Sequence, residues 1–264
     1  MKFSYSKKQT YKTHLPKPDH MKTIKSLLYF LPLLIVSMLF SSCERDNWHN
    51  IHGTGPVVSE TRVVPIHRDI SVSIPADVYV YQSPYRDLTI EAQSNILDAI
   101  ETYVSGSELN IGLENGAGLG NHEPIKIYIS SAMYNNIRLS GSVNLYAETP
   151  VVTDDLYVSI SGSGIIDMEV LANSVSASIS GSGKIWLAGE TITENFTVSG
   201  SGDIHSFDLL SETADISISG SGNTEISVAE YLNARISGSG SIYYAGYPSV
   251  DSRISGSGNL IHVH

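Results

Sequence analysis

Three polar side chains at matching positions of successive sequence repeats are the best candidates for catalytic chemistry. Lys184, Asp203 and Asn223 each directly follow a Ser-Gly-Ser-Gly tetrapeptide. A repeating β fold would stack them roughly 5 Å apart along one edge. A lysine beside a carboxylate could cleave a polysaccharide by acid–base chemistry. Turn residues stack in the same way in any repeating fold, and Asn and Asp suit turns because they hydrogen-bond to their own backbone. We therefore favour a turn role for these residues.

The remaining acidic and histidine candidates do not make a site by themselves. Asp154 and Asp155 are adjacent, but neighbours on a strand point to opposite faces. His262 and His264 share one face at strand spacing, yet a metal site would need a third ligand, so we expect them to cap the last turn. The glycine and aspartate pattern of calcium-binding repeats is absent. The sequence therefore predicts no catalytic residues, no metal and no cofactor.

The elements that would position these side chains follow from the repeated tetrapeptide. Start-to-start spacings run from 18 to 21 residues, which is typical of a β-solenoid. Apolar residues at fixed offsets on both sides alternate with polar ones, as in half-buried strands, whereas flexible Gly/Ser linkers lack such periodicity. Full copies start at Ser161, Ser180, Ser199, Ser219, Ser237 and Ser255, and a partial copy starts at Ser140.

The glycines of each tetrapeptide are predicted to form a corner between two strands. Glycine reaches positive φ without a Cβ clash, so the chain can bend sharply at the same place in every turn. Its small size also lets successive turns approach at strand spacing. The predicted structural turn residues are Gly162, Gly164, Gly181, Gly183, Gly200, Gly202, Gly220, Gly222, Gly238, Gly240, Gly256 and Gly258.

Residues 1–43 have the pattern of a targeting segment. A basic stretch opens at Met21, and the apolar run from Ser26 to Phe40 is shorter than the roughly 20 residues of a membrane span. Cys43, the only cysteine of the chain, follows this run. The pattern resembles a bacterial lipoprotein signal peptide, which implies that Cys43 is lipidated and anchors the protein to a membrane. The start codon could be Met1 or Met21.

The rest of the chain divides into a predicted tether at 44–60 and a β-helix domain at 61–264, in which 140–264 carry the regular repeats. A short helix is predicted between Asn95 and Tyr103. Residues 1–43 hold seven lysines and one aspartate of the chain's 16 basic and 27 acidic residues. The remainder therefore has nine basic against 26 acidic residues, which excludes nucleic acid and anionic membrane surfaces as partners.

Three segments of this chain resemble a known family. They are Asp-Val-Tyr-Val-Tyr-Gln from Asp77, the Ser-Gly-Ser ladder, and Tyr-Tyr-Ala-Gly-Tyr-Pro from Tyr243. Together they resemble the family called putative auto-transporter adhesin, head GIN domain, whose members are frequent as lipoproteins in Bacteroidetes. The resemblance covers about residues 61–264. It implies an all-β fold, a single-stranded right-handed parallel β-helix, although the apolar columns alone fit either hand. It supplies no catalytic residues.

These observations predict a binding protein of the cell envelope. We expect a lipid-anchored outer-membrane protein, facing the periplasm or the cell surface, whose β-helix head binds a protein or a glycan. A polysaccharide lyase or hydrolase of the β-helix type and a structural or self-associating spacer are the alternatives, and homo-oligomers are compatible with either. Aromatic platforms bind sugars and proteins but are also ordinary on sheet surfaces; both readings stay open for the cluster Tyr231, Tyr243, Tyr244 and Tyr247.

Overall fold

The computed structural model describes residues 49–85, 87–114 and 117–264. The predicted signal segment, Cys43 and the first five residues of the predicted tether lie outside this part of the chain. None of the helices in the described residues is long and apolar enough to cross a membrane.

Strands make up nearly all of the regular structure. The first half contains β1 (His49–Ile51), β2 (Val57–Arg62), β3 (Asp69–Val72), β4 (Asp77–Gln82), β5 (Leu88–Gln93), α1 (Ser94–Leu97), β6 (Ile100–Ser105), β7 (Glu108–Leu113), β8 (Ala117–Leu119) and β9 (Lys126–Ser131). The second half contains β10 (Asn136–Gly141), β11 (Asn144–Ala147), β12 (Val151–Val152), β13 (Asp155–Gly162), β14 (Ile165–Gly181), β15 (Lys184–Gly200), β16 (Asp203–Gly220), β17 (Asn223–Gly238), β18 (Ser241–Ala245), β19 (Ser249–Gly256) and β20 (Asn259–His262).

The second half is a stack of parallel coils in register. The chain passes from β13 through β17 to β19 with each coil paired to the one before, and the corner glycines lie directly over one another from Gly141 to Gly256. Within each coil, alternate side chains point inward, so Leu156, Val158 and Ile160 of β13 are buried. This period of two is what the apolar columns predicted. The predicted all-β, parallel β-solenoid class is confirmed.

The first half joins the same stack in a different order. β3 and β4 pair on one side with β10 and β11 and on the other with β7 and β9. The coil formed by β7 and β9 is therefore the outermost one, although β3 and β4 precede it in the sequence. Because the order of stacking differs from the order in the chain, the sequence repeat is blurred before residue 140.

The two glycines of a corner have different structural reasons. Gly220 has φ of 138°, which only glycine adopts without strain, and a Cβ there would lie 2.2 Å from the carbonyl oxygen of Gly200. Gly222 has no positive φ, but a Cβ would lie 1.9 Å from the carbonyl oxygen of Gly202. The first glycine is thus needed for its backbone angle and for space, and the second for space alone.

The two ends of the solenoid differ. At the β7/β9 end, antiparallel strands cover the coil: β6 pairs with β7, β5 with β9, and β2 with β5. Arg62 ties this cap together by donating to the carbonyl oxygens of Leu97 at 2.9 Å and Ile100 at 2.6 Å. At the other end, β19 pairs with β17 and β20 with β18. Their outer edges carry no further strand of the described residues.

Two local expectations differ from the structure. Residues 49–60, part of the predicted tether, contain β1 and the start of β2. They are held by side-chain bonds across the cap: the amide of Asn95 donates to His52 O at 2.8 Å, and its oxygen accepts from the Thr54 N–H at 2.9 Å. The predicted helix near Asn95 is the short α1, and β6 replaces the rest because its residues pair with β7. β6 and β7 are joined by a two-residue turn at 106–107, so this pairing is a local β-hairpin, which the helical spacing of the apolar residues obscured.

Candidate functional site

The polar residues that follow the tetrapeptides lie side by side on one edge of the solenoid, and two of them, Asp203 and Asn223, bond to each other as turn residues. Asn223 Nδ2 donates to Asp203 Oδ1 at 3.1 Å, and Asn223 Oδ1 accepts from the Ser241 N–H at 3.1 Å. Lys184 is in register with Asp203, but its Nζ lies over the Trp186 ring, 5.9 Å from the centroid. The side chains of Asp203 and Asn223 therefore stabilise successive turns through these hydrogen bonds, which agrees with a turn role.

The other sequence candidates have local roles as well. Asp154 Oδ1 accepts from Asn173 Nδ2 of the next coil at 3.4 Å, and Asp155 lies exposed at the start of β13. The His262 ring contacts Gly246 O at 2.8 Å and packs against Tyr244, with ring centroids 5.0 Å apart. Among the residues that the structure describes, no three His, Cys, Asp or Glu side chains are grouped as metal ligands.

A row of outward side chains, six of which are aromatic rings, runs along the solenoid on the face that follows the glycine corners. Its members occupy the same outward position of successive coils, one coil apart. We call this row the aromatic column. In stacking order it contains Tyr128, Tyr79, Tyr146, Asp167, Trp186, His205, Glu225, Tyr243 and Ile261.

The rings of the aromatic column form two stacks along the solenoid axis. Tyr79 lies between Tyr128 and Tyr146, with ring centroids 5.2 and 5.7 Å away and interplanar angles of 17° and 27°. Trp186 stacks on His205 at 5.1 Å and 16°. The nearly parallel planes mean that each ring turns a face toward the next coil. The rings at the inner ends of the two stacks are Tyr146 and Trp186.

Asp167 separates the two stacks and leaves a gap between them. It is in register with Tyr146 on one side and with Trp186 on the other. Tyr146 and Trp186 are therefore two coils apart, about 10 Å at ordinary strand spacing. Each has one face covered by its own stack and the other turned toward the short side chain of Asp167. We call this gap, with its two aromatic walls and its carboxylate floor, the Asp167 slot.

The Asp167 slot opens into a groove of about 860 Å³ whose lining includes six carboxylates. Burial raises the pKa of Tyr146, and the carboxylates of Asp77 and Asp167 raise it further, so the phenol keeps its proton and can donate a hydrogen bond. The carboxylates that line the groove are Asp77, Glu148, Asp167, Glu169, Asp208 and Glu225. Such a groove offers ring faces and hydrogen-bond acceptors, and it repels anions.

Hydrogen bonds from the neighbouring coil fix the Trp186 end of the groove. The register between β15 and β16 shifts after Trp186, so that Phe207 and Asp208, which are neighbours in the chain, both line the groove. The Ser206 hydroxyl donates to Glu225 O and the Ser227 hydroxyl to Phe207 O, each at 2.6 Å. His205 Nδ1 and Glu225 Oε2 are 2.8 Å apart, which fixes the ring that supports Trp186 from behind.

The sequence analysis missed the aromatic column although a signal for it was present. In the regular repeats, each member directly follows the last apolar position of its repeat, as Trp186 follows Ile185 and Tyr146 follows Leu145. Tyr, Asp, Trp, His and Glu at one position do not look like a column by residue type. In the first half the stacking order differs from the chain order, so Tyr79 and Tyr128 could not be aligned with the others from sequence.

A family profile now accounts for most of the solenoid. The profile described as putative auto-transporter adhesin, head GIN domain, matches residues 67–248. The chain belongs to this family. The match contains the whole groove, from Asp77 to Glu225, and confirms the resemblance inferred from the Ser-Gly-Ser ladder. No curated protein matches the chain.

Solved structures of Bacteroidetes proteins have the same fold. A putative adhesin from Bacteroides fragilis superimposes with a TM-score of 0.78 at 23% identity, covering 81% of this chain and 100% of the other. A protein from Parabacteroides distasonis described as a putative lipid binding protein gives 0.69 at 24%, with the same coverage. A putative adhesin from Parabacteroides merdae gives 0.64 at 20%, covering 81% and 99%. At these identities the likeness shows the fold alone.

Proposed function

We propose that this protein is a lipid-anchored adhesin of the cell envelope whose head binds a glycan in the Asp167 slot. The observation that carries the proposal is the pair of aromatic faces, Tyr146 and Trp186, about two coils apart on either side of a carboxylate. A pyranose ring has apolar C–H faces that pack on aromatic rings, and its hydroxyl groups are donors for a carboxylate floor. The groove has room for a short oligosaccharide.

The charge of the groove narrows the class of glycan. Six carboxylates line it, and among the residues that the structure describes its lining contains no lysine or arginine. Uronic-acid and sulfated polymers would meet like charges, whereas neutral hexoses and amino sugars would not. The ligand class is therefore a neutral or amino-sugar glycan.

Binding accounts for the groove better than cleavage does. A glycosidase needs two carboxyl groups on either side of the scissile bond, one of which has a raised pKa so that it can act as an acid. Asp167 lies at the floor between two rings, where it can accept hydrogen bonds from hydroxyl groups. Asp203, the carboxylate that the sequence places between Lys184 and Asn223 on one edge, accepts a hydrogen bond from Asn223. The names of the solved relatives, adhesins and a lipid binding protein, point in the same direction.

A glycan panel with matched variants tests the proposal. Neutral glucan, mannan, galactan and xylan, the amino-sugar polymer chitosan, and polygalacturonate are compared by affinity electrophoresis and calorimetry on the full chain. At least one neutral or amino-sugar polymer should bind, and polygalacturonate should not. Trp186→Ala should weaken binding about tenfold, because aromatic stacking contributes roughly 0.5–1.5 kcal/mol beyond the area buried. Asp167→Asn should weaken it by a smaller factor.

The matched control is Tyr231→Ala, which removes an exposed aromatic ring that does not line the groove. Its affinity should equal that of the parent. Equal losses in Tyr231→Ala and Trp186→Ala, or binding of polygalacturonate alone, would contradict the proposed site. Release of reducing ends from any polymer would replace binding with catalysis. If the protein binds phospholipid vesicles, and the vesicles do not displace a bound glycan, the result would favour lipid binding, the activity named for the Parabacteroides distasonis relative.

A further inference from the structure

The uncovered end of the solenoid exposes side chains that are buried in every other coil. Val250 and Ile254 of β19 continue the inward columns of Leu232 and Ile236. Leu232 and Ile236 are 0% and 2% exposed, whereas Val250 and Ile254 are 39% and 44% exposed. At the other end, β7, the strand in the same face of the stack as β19, is covered by the antiparallel strand β6. An apolar strand edge with free backbone groups is a template for pairing with another strand.

The hydrogen bonds of the ladder determine which residues of β19 face this free edge. Tyr157 N–H donates to Asn135 O of the preceding coil, and Tyr157 belongs to the column that ends at Asp251. In parallel strands the N–H and C=O of one residue point to the same side, and those of the next residue to the other. Asp251 and Arg253 therefore direct their backbone groups to β17. Val250, Ser252 and Ile254 direct theirs to the free edge.

The side chains of β19 are complementary to a second copy of the same strand. In an antiparallel pair centred on Ser252, each Asp251 lies opposite Arg253 of the other copy, and each Val250 lies opposite Ile254. Ser252, Val250 and Ile254 then occupy the hydrogen-bonded positions. Within the described part of the chain, neither Asp251 nor Arg253 makes a side-chain hydrogen bond or an ion pair.

Other symmetric registers lose this match. A pair centred on Asp251 or on Arg253 would bring two like charges directly opposite each other, which is destabilising, and would no longer place Val250 opposite Ile254. A shift by one residue would place inward side chains opposite outward ones. The pair centred on Ser252 thus satisfies charge, apolar burial and backbone hydrogen bonding together.

From this complementarity we infer that two copies of the protein associate end to end, through antiparallel pairing of their β19 strands about a two-fold axis at Ser252. The chain enters the solenoid at the opposite, capped end, since β1 and β2 pair with β8 and β5. The groove lies on another face and stays open in this dimer. The inference does not depend on glycan binding, and either could be correct without the other.

Disulfide cross-linking tests the register directly. All variants are made in the full chain with Cys43→Ala, so that the introduced cysteine is the only thiol. Opposed residues of a hydrogen-bonded antiparallel pair have Cα atoms roughly 5.5 Å apart, which a disulfide can span. Ser252→Cys should therefore form a covalent dimer on mild oxidation, seen on a non-reducing gel. Thr197→Cys, at an outward position within the ladder, is the matched control and should stay monomeric.

A pair of differently tagged copies gives a second, independent readout. Val250→Cys and Ile254→Cys are each expressed alone and then together. Alone, the two equivalent cysteines would lie about four residues apart along the paired strands, roughly 14 Å, and should not join. Together they should give a mixed dimer carrying both tags. This readout leaves Ser252 intact, so it holds even where Ser252→Cys folds poorly.

Charge reversal distinguishes cross-links that form within a β19 pair from cross-links that form when two molecules meet at random. Adding Asp251→Arg to Ser252→Cys should reduce the cross-linked fraction about tenfold, because both ion pairs become repulsions. Adding Arg253→Asp as well should restore it. Cross-linking no greater than that of Thr197→Cys, a mixed dimer absent from the tagged pair, or failure of the double reversal to restore cross-linking would each overturn the inference. A cross-link to a different protein would identify another occupant of this edge and would also overturn it.

Discussion

The carboxyl group of Glu194 lies inside the solenoid, in the column that otherwise holds Val175, Ala214 and Leu232. It is fully buried, and its oxygens have no hydrogen-bond partner among the described residues. Burial raises the pKa of Glu194 well above its ordinary value, and the nearby Ser211 lowers it only partly. The Ser211 hydroxyl donates instead to Ser227 O at 3.1 Å. The folded protein therefore keeps the proton of Glu194 to a higher pH than the unfolded chain, which releases it around the ordinary pKa of a glutamate.

This proton makes stability depend on pH in a defined direction. Above the ordinary pKa of a glutamate the folded state binds one proton more than the unfolded state, so the free energy of unfolding falls as pH rises. The fall is at most about 1.4 kcal/mol per pH unit. Glu194→Gln removes the titrating group while keeping its shape. The variant should match the parent near pH 4.5 and become progressively more stable than it toward pH 8.

Denaturant unfolding at several pH values measures this difference. Glu212→Gln, at an exposed position one coil away, is the matched control and should follow the parent at every pH. A constant difference between Glu194→Gln and the parent from pH 4.5 to pH 8 would show that Glu194 is ionised in the folded protein. It would then have to be hydrated, which its position in the core does not allow.

At the scale of the element, alanine substitutions can distinguish the two reasons for glycine at a corner, which are the backbone angle and the lack of space for a Cβ. Gly220→Ala adds a Cβ at a φ of 138° and 2.2 Å from a carbonyl oxygen, and Gly222→Ala adds one only 1.9 Å from a carbonyl oxygen. Gly106→Ala is the control, because its φ is 64° but no atom lies within 4 Å of the added Cβ. Gly106→Ala should cost about 1 kcal/mol, and Gly220→Ala at least 1–3 kcal/mol more.

Thermal and denaturant unfolding of the three variants gives the comparison. Gly222→Ala should also be strongly destabilised, because the coil below cannot move away without breaking its own ladder. A Gly222→Ala variant as stable as the parent would mean that the space between the glycines does not matter at the corner, because Gly222 has no positive φ. In that case, coils would be free to move apart at this height, and the close stacking of glycine on glycine would have no energetic role.

Sequence periodicity predicted elements well where neighbours in the chain are neighbours in space. From Ser140 onward each coil stacks on the preceding one, so a fixed offset in the sequence is a fixed column in the structure. Before that point β3 is inserted between β7 and β10, and periodicity carries no trace of this. The aromatic column that forms the Asp167 slot contains residues from both parts of the chain, before and after Ser140. The position of Trp186 in the column can be predicted from the repeat, but the position of Tyr79, which stacks on Tyr146, cannot.

At the scale of the whole molecule, the inferred end-to-end dimer and the predicted lipid anchor together would determine which surfaces can be joined. Cys43, the predicted lipidation site, precedes β1 by only six residues, roughly 20 Å when extended. Because β1 lies at the capped end, pairing through β19 would place the two β1 strands at opposite ends of the dimer. We therefore expect the dimer to join copies on two facing membranes. Neighbouring copies in one membrane should pair less.

Vesicles loaded with the lipidated full chain test this expectation. The parent should cluster vesicles, as measured by light scattering, whereas Cys43→Ala should stay in the soluble fraction and cluster none. Asp251→Arg should abolish clustering, and Asp251→Arg with Arg253→Asp should restore it. Mixing parent and doubly reversed vesicles in two colours is the sharpest case. Across a mixed pair, Asp251 of the parent faces an aspartate and Arg253 faces an arginine, so the colours should segregate into separate clusters. Clusters of mixed colour would show that contacts other than β19 hold the membranes together.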